Sequence, residues 1–148
     1  MENDSLENDK YIVFQIADNK FSIPLMSAME VVECNEVQKL PKAKNYFDGV
    51  TNIRGEVVAV IDIRKRFGLN SENSNVLIMF EFNDHTLGAR VDKLIRVDQV
   101  DDQDIDAANG VKSNMYKDYV KGIYKKDNEI VTIIDIKGLL VNEQISVA

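Results

Sequence analysis

The chain repeats itself, and that repeat limits what it can fold into more than any other feature. Tyr11 to Phe21 reads YIVFQIADNKF, and Leu77 to Leu87, displaced by 66 positions, reads LIMFEFNDHTL. Gly49 to Ile63, GVTNIRGEVVAVIDI, returns as Gly122 to Ile136, GIYKKDNEIVTIIDI. Six of those fifteen positions are identical, among them Gly49/Gly122, Glu56/Glu129 and Asp62/Asp135. The units come in the same order in each half, so the chain reads as two copies of one small β module.

Local chemistry supports the same reading. Asp18-Asn19 and Asp84-His85 are placed as turns between strands, as are Arg54-Gly55 and Asp127-Asn128, where residues that tolerate positive φ are needed. Val57 to Ile63 and Ile130 to Ile136 are dense in β-branched residues and read as buried strands. Asp62 is expected to cap a short helical turn that ends with basic residues and Gly68, and Asp135 to do the same for Ile136 to Leu140. Little other helix is expected: one turn in Pro41 to Phe47, and a C-terminal helix in Gly138 to Ser146. Asn70 to Asn75 is a polar connector, and residues 1–9 are a flexible acidic tail. Short strands at short spacing predict a mainly β fold of two small antiparallel barrels sharing a hydrophobic core. Residues 10–148 form a single domain with approximate repeats at 11–68 and 77–140. Neither half buries much alone.

Charge and cysteine content narrow the function. With 18 Lys+Arg against 25 Asp+Glu the net charge is −7, so nucleic acid is excluded as a partner. Cys34 is the single cysteine, which rules out an intramolecular disulfide and fits a reducing compartment. The opening MENDSLENDK lacks the basic start and apolar run of a secretory leader, and no apolar stretch is long enough to span a membrane. A cytoplasmic protein without direct membrane insertion is expected.

Catalytic chemistry is sparse. His85 reads as an exposed turn residue rather than a catalytic base, and Cys34, after Val31-Val32, as a small hydrophobe. Asp98, Asp101, Asp102, Asp104 and Asp106 do not follow a calcium-loop pattern and read as a solvated acidic loop. No glycine pattern signals a nucleotide cradle. Between Val37 and Arg66 lie seven basic residues (Lys39, Lys42, Lys44, Arg54, Arg64, Lys65 and Arg66) against three acidic ones. Set against the acidic 98–106 stretch, this predicts a bipolar surface suited to docking.

GVTNIRGEVVAVIDIRKRFG, Gly49 to Gly68, resembles the signature of the CheW-like family of bacterial chemotaxis coupling proteins, G-V-x-N-L-R-G-x-V-x-P-V-x-D-L-R-x-x-F-G. Ile53 replaces Leu, and Ala59 replaces a proline read as lying on a strand edge. The resemblance runs from about Tyr11 to Leu140 and takes in Phe21 to Pro24 and Met29 to Val32. It implies two SH3-like five-stranded antiparallel β-barrel subdomains with short helices. It also implies no catalytic activity, no cofactor and no metal. The implied partners are the cytoplasmic tip of methyl-accepting chemotaxis receptors and the regulatory domain of the histidine kinase CheA, within receptor arrays at the membrane.

By the same resemblance, Arg54 and Glu30 form an ion pair on one wall of the receptor site. Ala28, Val76, Gly88 and Val97 contribute to an apolar groove that receives a helical tip. Gly49 and Leu25 belong to the kinase side. The competing class is an acidic small-ligand-binding or hydrolytic β-barrel, which requires Asp62, Asp135 and His85 to converge.

Overall fold

The computed structural model describes residues 9–34, 36–40, 47–70, 75–107 and 119–138. The turn expected in Pro41 to Phe47 and the C-terminal helix lie almost wholly outside the described residues. So do the tail, apart from Asp9, and most of the connector.

Among the described residues, eleven strands follow the chain. They are β1 (Lys10–Ile16), β2 (Asn19–Pro24), β3 (Glu30–Glu33), β4 (Phe47–Ile53), β5 (Glu56–Asp62), β6 (Val76–Phe82), β7 (His85–Val91), β8 (Lys93–Gln99), β9 (Asp106–Ala107), β10 (Val120–Lys126) and β11 (Glu129–Ile134). Among the described residues, one short helix, α1 (Ile63–Phe67), and two 3₁₀ turns, Leu25–Ser27 and Asp102–Asp104, join them. The hairpins fall where the repeat puts them. Positive φ at Arg54, Gly55, Asp127 and Asn128 confirms two of the expected turns. The other two sit one position earlier than read: Ala17 and Asn83-Asp84 take the left-handed conformation, while Asn19 and His85 open strands.

The strands form a six-stranded sheet in the order β8-β1-β2-β11-β10-β9 and a five-stranded sheet in the order β3-β6-β7-β5-β4. The sequence repeats and the sheets do not coincide. Hairpin β1–β2 of the first repeat lies in the sheet of β8 to β11, and hairpin β6–β7 of the second lies in the sheet of β3 to β5. Two parallel ladders make this exchange: β2 with β11 (Phe21 opposite Thr132) and β7 with β5 (Leu87 opposite Ala59). Neither sheet is therefore purely antiparallel, and two-residue β9 makes one of them six-stranded. Ala59 lies on an interior strand, fully buried between β4 and β7, not on an edge.

The interior strands of each sheet bury residues on both faces. Between the sheets lies a core of 17 buried residues, with Ile12, Phe14, Phe21 and Ile134 from one sheet and Ile61, Ile78, Phe80 and Leu87 from the other. Phe67 of α1 packs at 5.3 Å from Phe21, so the first repeat's helix plugs the junction. A smaller cluster lines the inner curve of each sheet: Tyr11, Val13, Val100, Tyr124, Val131 and Ile133 in the first, and Cys34, Val58, Val60, Leu77 and Met79 in the second. At about 1.5–3 kcal/mol per buried large apolar side chain, the shared core outweighs both satellites. Val57 and Ile130, which begin the strands read as buried, are instead exposed, because each precedes the point where its strand enters the core.

Asp62 caps α1 as expected: its carboxylate accepts from the Arg64 backbone N–H at 3.0 Å. Gly68, at φ 70°, closes the helix, with Leu69 N–H donating to the Arg64 carbonyl. The Arg64 side chain folds back onto the same carboxylate through Nε (2.9 Å) and Nη2 (2.6 Å), and both partners are buried. Arg64 is therefore not part of the expected basic surface. Nearby, Asp48 pairs with Arg90 at 3.0 Å and Lys65 at 3.6 Å. In the second repeat Asp135 accepts from Gly138 N–H at 3.0 Å, the geometry of a cap.

Asp62→Ala removes the cap and leaves a buried guanidinium without its carboxylate. A cap alone is worth about 0.5–2 kcal/mol, whereas breaking a buried ion pair costs about 3–5 kcal/mol. Urea denaturation should show a loss above the cap range, and a loss within it would mean that the charges of Asp92 and Asp48 suffice for Arg64.

Candidate functional site

The two edge regions of the five-stranded sheet meet along a seam of backbone and side-chain contacts. The seam joins β3 to β4 and the β4–β5 hairpin. Gln38 and Val50 exchange backbone hydrogen bonds across it (2.7 and 2.9 Å). The Cys34 thiol lies 3.2 Å from Thr51 Oγ1, which donates to the Glu36 carbonyl at 2.6 Å. Gly49 makes this approach possible: a Cβ there would sit 2.1 Å from the Gln38 carbonyl oxygen, and its φ is 144°. At the hairpin tip Arg54 Nη2 donates to Glu30 Oε1, forming the expected ion pair. The pair faces solvent, with the Arg54 side chain 68% exposed and that of Glu30 38%. Asn52 Oδ1 accepts from Gly55 N–H at 2.9 Å and holds the turn that presents Arg54.

The six-stranded sheet has its own seam, between β8 and the β10–β11 hairpin, and it is built differently. Asp98 is buried on β8, accepting from Tyr124 Oη at 2.8 Å and Arg96 Nε at 2.7 Å, with Lys126 Nζ at 3.6 Å. Arg96 also reaches Glu129 at 3.4 Å, and Glu129 pairs with Lys20 at 3.3 Å. This corrects the reading of Asp98 as part of a solvated loop. Its partner Tyr124 lies 26 residues away in sequence, so only Asp101, Asp102, Asp104 and Asp106 are exposed. Burial pushes the Asp98 carboxyl up. The hydrogen bonds from Arg96 and Tyr124, with the charges of Arg96 and Lys126, more than reverse this and hold it below its ordinary value. Burial and the bond to Asp98 push the Tyr124 phenol well above its ordinary value.

The other residues singled out in the sequence fall in three places. Glu30, Met79, Gly88, Val60 and Gly49 form one cross-strand row over the five-stranded sheet. Gly88 and Gly49 are both buried in it, and Leu77 Cδ1 would stand 3.1 Å from a Cβ on Gly88. Leu25, Ala28 and Val76 lie half-buried on the rim of the shared core. Val97 belongs to the other sheet, exposed on β8 opposite Ile12. Exposed Met26 and Met29 flank Ala28, and sequence reasoning passed over them. The Met26-Ser27-Ala28-Met29 run between two strands is the signal that would have found them.

Two of the three residues required by a hydrolytic reading are otherwise engaged, and the third is exposed. Asp62 holds Arg64, Asp135 caps Gly138, and His85 is exposed at the start of β7. Among the described residues no group of three or more His, Cys, Asp or Glu is placed to hold a metal ion, and no helix is long and apolar enough to cross a membrane.

A family model described as the CheW-like domain matches residues 10–144. The chain is similar to chemotaxis protein CheW of Helicobacter pylori, 30% identical over 142 residues covering 94% of this chain and 86% of the relative. It is also similar to chemotaxis protein CheW of Bacillus subtilis, 28% identical over 139 residues, covering 91% and 88%. Its structure resembles the crystal structure of the scaffolding protein TtCheW from Thermoanaerobacter tengcongensis, with a TM-score of 0.84 and 28% identity over 95% of this chain and 98% of that one.

Two outcomes test the seams. Because its folded-state pKa is lowered, Asp98 contributes stability that is present above about pH 4 and lost as pH falls through the lower folded value. Asp98→Asn should cost about 1–3 kcal/mol at neutral pH and flatten the acid limb of a stability profile; an unchanged acid limb would remove Asp98 from this role. Arg54→Ala should speed maleimide labelling of buried Cys34 with little change in melting temperature. Equal labelling rates would mean that the ion pair does not hold that seam shut.

Proposed function

Because the chain belongs to the CheW-like domain family, we propose that it is a non-catalytic chemotaxis adaptor that couples methyl-accepting chemotaxis receptors to the histidine kinase CheA and helps build the signalling array. It works in the cytoplasm and is recruited to receptors at the membrane. Each curled sheet is read as one SH3-like barrel. One observation carries the assignment of the receptor side. Within the signature, Gly49, Asn52, Asp62, Arg64, Phe67 and Gly68 all have work in the fold. Arg54 is a solvent-facing charge held in place by Glu30.

In this reading the receptor's helical tip lays apolar residues along the rim at Ala28, Val76 and Val97, with Arg54 and Glu30 as the polar wall. Gly88 contributes shape rather than contact, since it lies under the sheet's own side chains. Leu25 faces the regulatory domain of the kinase, and Gly49 sets the backbone of the barrel end that the kinase meets. The receptor's signalling state reaches the kinase through these paired contacts.

Arg54→Ala should weaken binding of a receptor-tip fragment while kinase binding persists. The exposed pair is worth only about 0–1 kcal/mol to folding, whereas an arginine at the heart of an interface often contributes roughly 2 kcal/mol or more to binding. Titrations of Arg54→Ala, Glu30→Ala and the double variant give the coupling, and non-additive losses would show one unit. Undiminished receptor affinity, or an unfolded variant, would make Arg54 a structural residue and remove it from the site.

A further inference from the structure

The repeat gives this chain two seams on one plan, and their charges are inverted. Val13 and Met79 are equivalent in the repeat; their partners on the edge strands are Arg96 and Glu30. Arg54 and Asp127 are likewise equivalent, and both stand at φ 52° in their hairpin turns. One seam thus has Glu on its edge strand and Arg at its tip, while the other has Arg on the edge and Asp at the tip. The features around them match: Glu56 corresponds to Glu129, and exposed Val57 (65%) to exposed Ile130 (63%). Shape and apolar surface therefore do little to distinguish two tips that differ in the sign of their charges.

We infer that Glu30 and Arg54 are specificity determinants through the direction of their charges, and that Arg96 and Asp127 deny the same ligand the second seam. This rests on the receptor-site reading above. A partner that places an acceptor near Arg54 and a donor near Glu30 would meet like charges at Asp127 and Arg96, and opposed like charges are an effective means of rejection. Arg96 is also turned inward to Asp98 and Glu129, and Lys126, the cation beside Asp127, lies 3.6 Å from the same buried Asp98, so both are engaged within the second seam. The competing account is that the Arg54–Glu30 pair is only a clasp, indifferent to which side carries which charge.

The exchange variant Glu30→Arg/Arg54→Glu separates the two, because it keeps an opposite-charge clasp and reverses its direction. The probes are a purified receptor signalling-tip fragment and the kinase regulatory domain, each titrated against the full chain, with Cys34 labelling and melting temperature reporting a closed seam. The expected result is a receptor-fragment Kd at least about tenfold weaker than wild type, with kinase binding and Cys34 protection unchanged. Binding within about twofold of wild type would overturn the inference in favour of the clasp. Should the exchange leave Cys34 open, Arg54→Lys decides: it keeps the sign, so binding must stay within about threefold of wild type, and a larger loss overturns the inference. Failure of the underlying site reading looks different, since then Arg54→Ala, Glu30→Ala and the exchange all bind the receptor fragment as wild type does.

Discussion

Two parallel ladders, β2 beside β11 and β7 beside β5, carry the rest of this structure. Each inserts a hairpin from one sequence repeat into the sheet completed by the other. The large core between the sheets is assembled from faces that only this exchange brings opposite one another, and Phe67 reaches Phe21 across the same junction. A repeat excised from the chain would lack a central hairpin of its own sheet and most of its buried apolar surface. The two sheets are therefore expected to unfold as one cooperative unit, although each curls over a cluster of its own.

The signature from Gly49 to Gly68 is best understood as a folding device that also presents a charged side chain to solvent. Gly49 is required because the Gln38 backbone passes where a side chain would be, and Gly122 repeats the arrangement, with Ile105 and Asp106 pressing on it. Asp62 serves the helix backbone and the Arg64 guanidinium at once, which explains both residues without any catalytic role. Gly68 takes the left-handed conformation that ends the helix. Asn52 ties the turn. Arg54 stands at the surface among the exposed residues of this segment and is aimed at Glu30 by a turn the rest of the motif has built.

Much of this was legible in the residues because it is local. Turn residues with positive φ, the Asp62 cap, the closing Gly68 and the strand runs all depend on neighbours a few positions away. The Arg54–Glu30 pair was legible only through family resemblance, since nothing in spacing joins residues 24 apart. Strand exchange was not legible. Similarity identifies which segments are alike, and it does not say whether a hairpin pairs within its own copy or with the other. Asp98 was misread for a related reason: runs of aspartate suggest solvent, and the tyrosine and arginine that allow its burial become partners only after the sheet curls. Val57 and Ile130 were misread because β-branching marks a strand and carries no information on where the strand enters the core.

The two seams also differ in what they cost the fold if disturbed. The six-stranded sheet is shut by a buried carboxylate with a phenol and a guanidinium on it, where loss of one partner leaves a desolvated polar group unsatisfied. The five-stranded sheet is shut at its tip by an ion pair in contact with water, the kind that contributes little to stability. A docking partner that must compete for Arg54 or Glu30 would therefore disturb the seam whose opening costs least. A partner at the second seam would have to break a network the sheet depends on. On the proposed reading, recognition lies on the cheaper seam, where contacts change without unfolding the sheet.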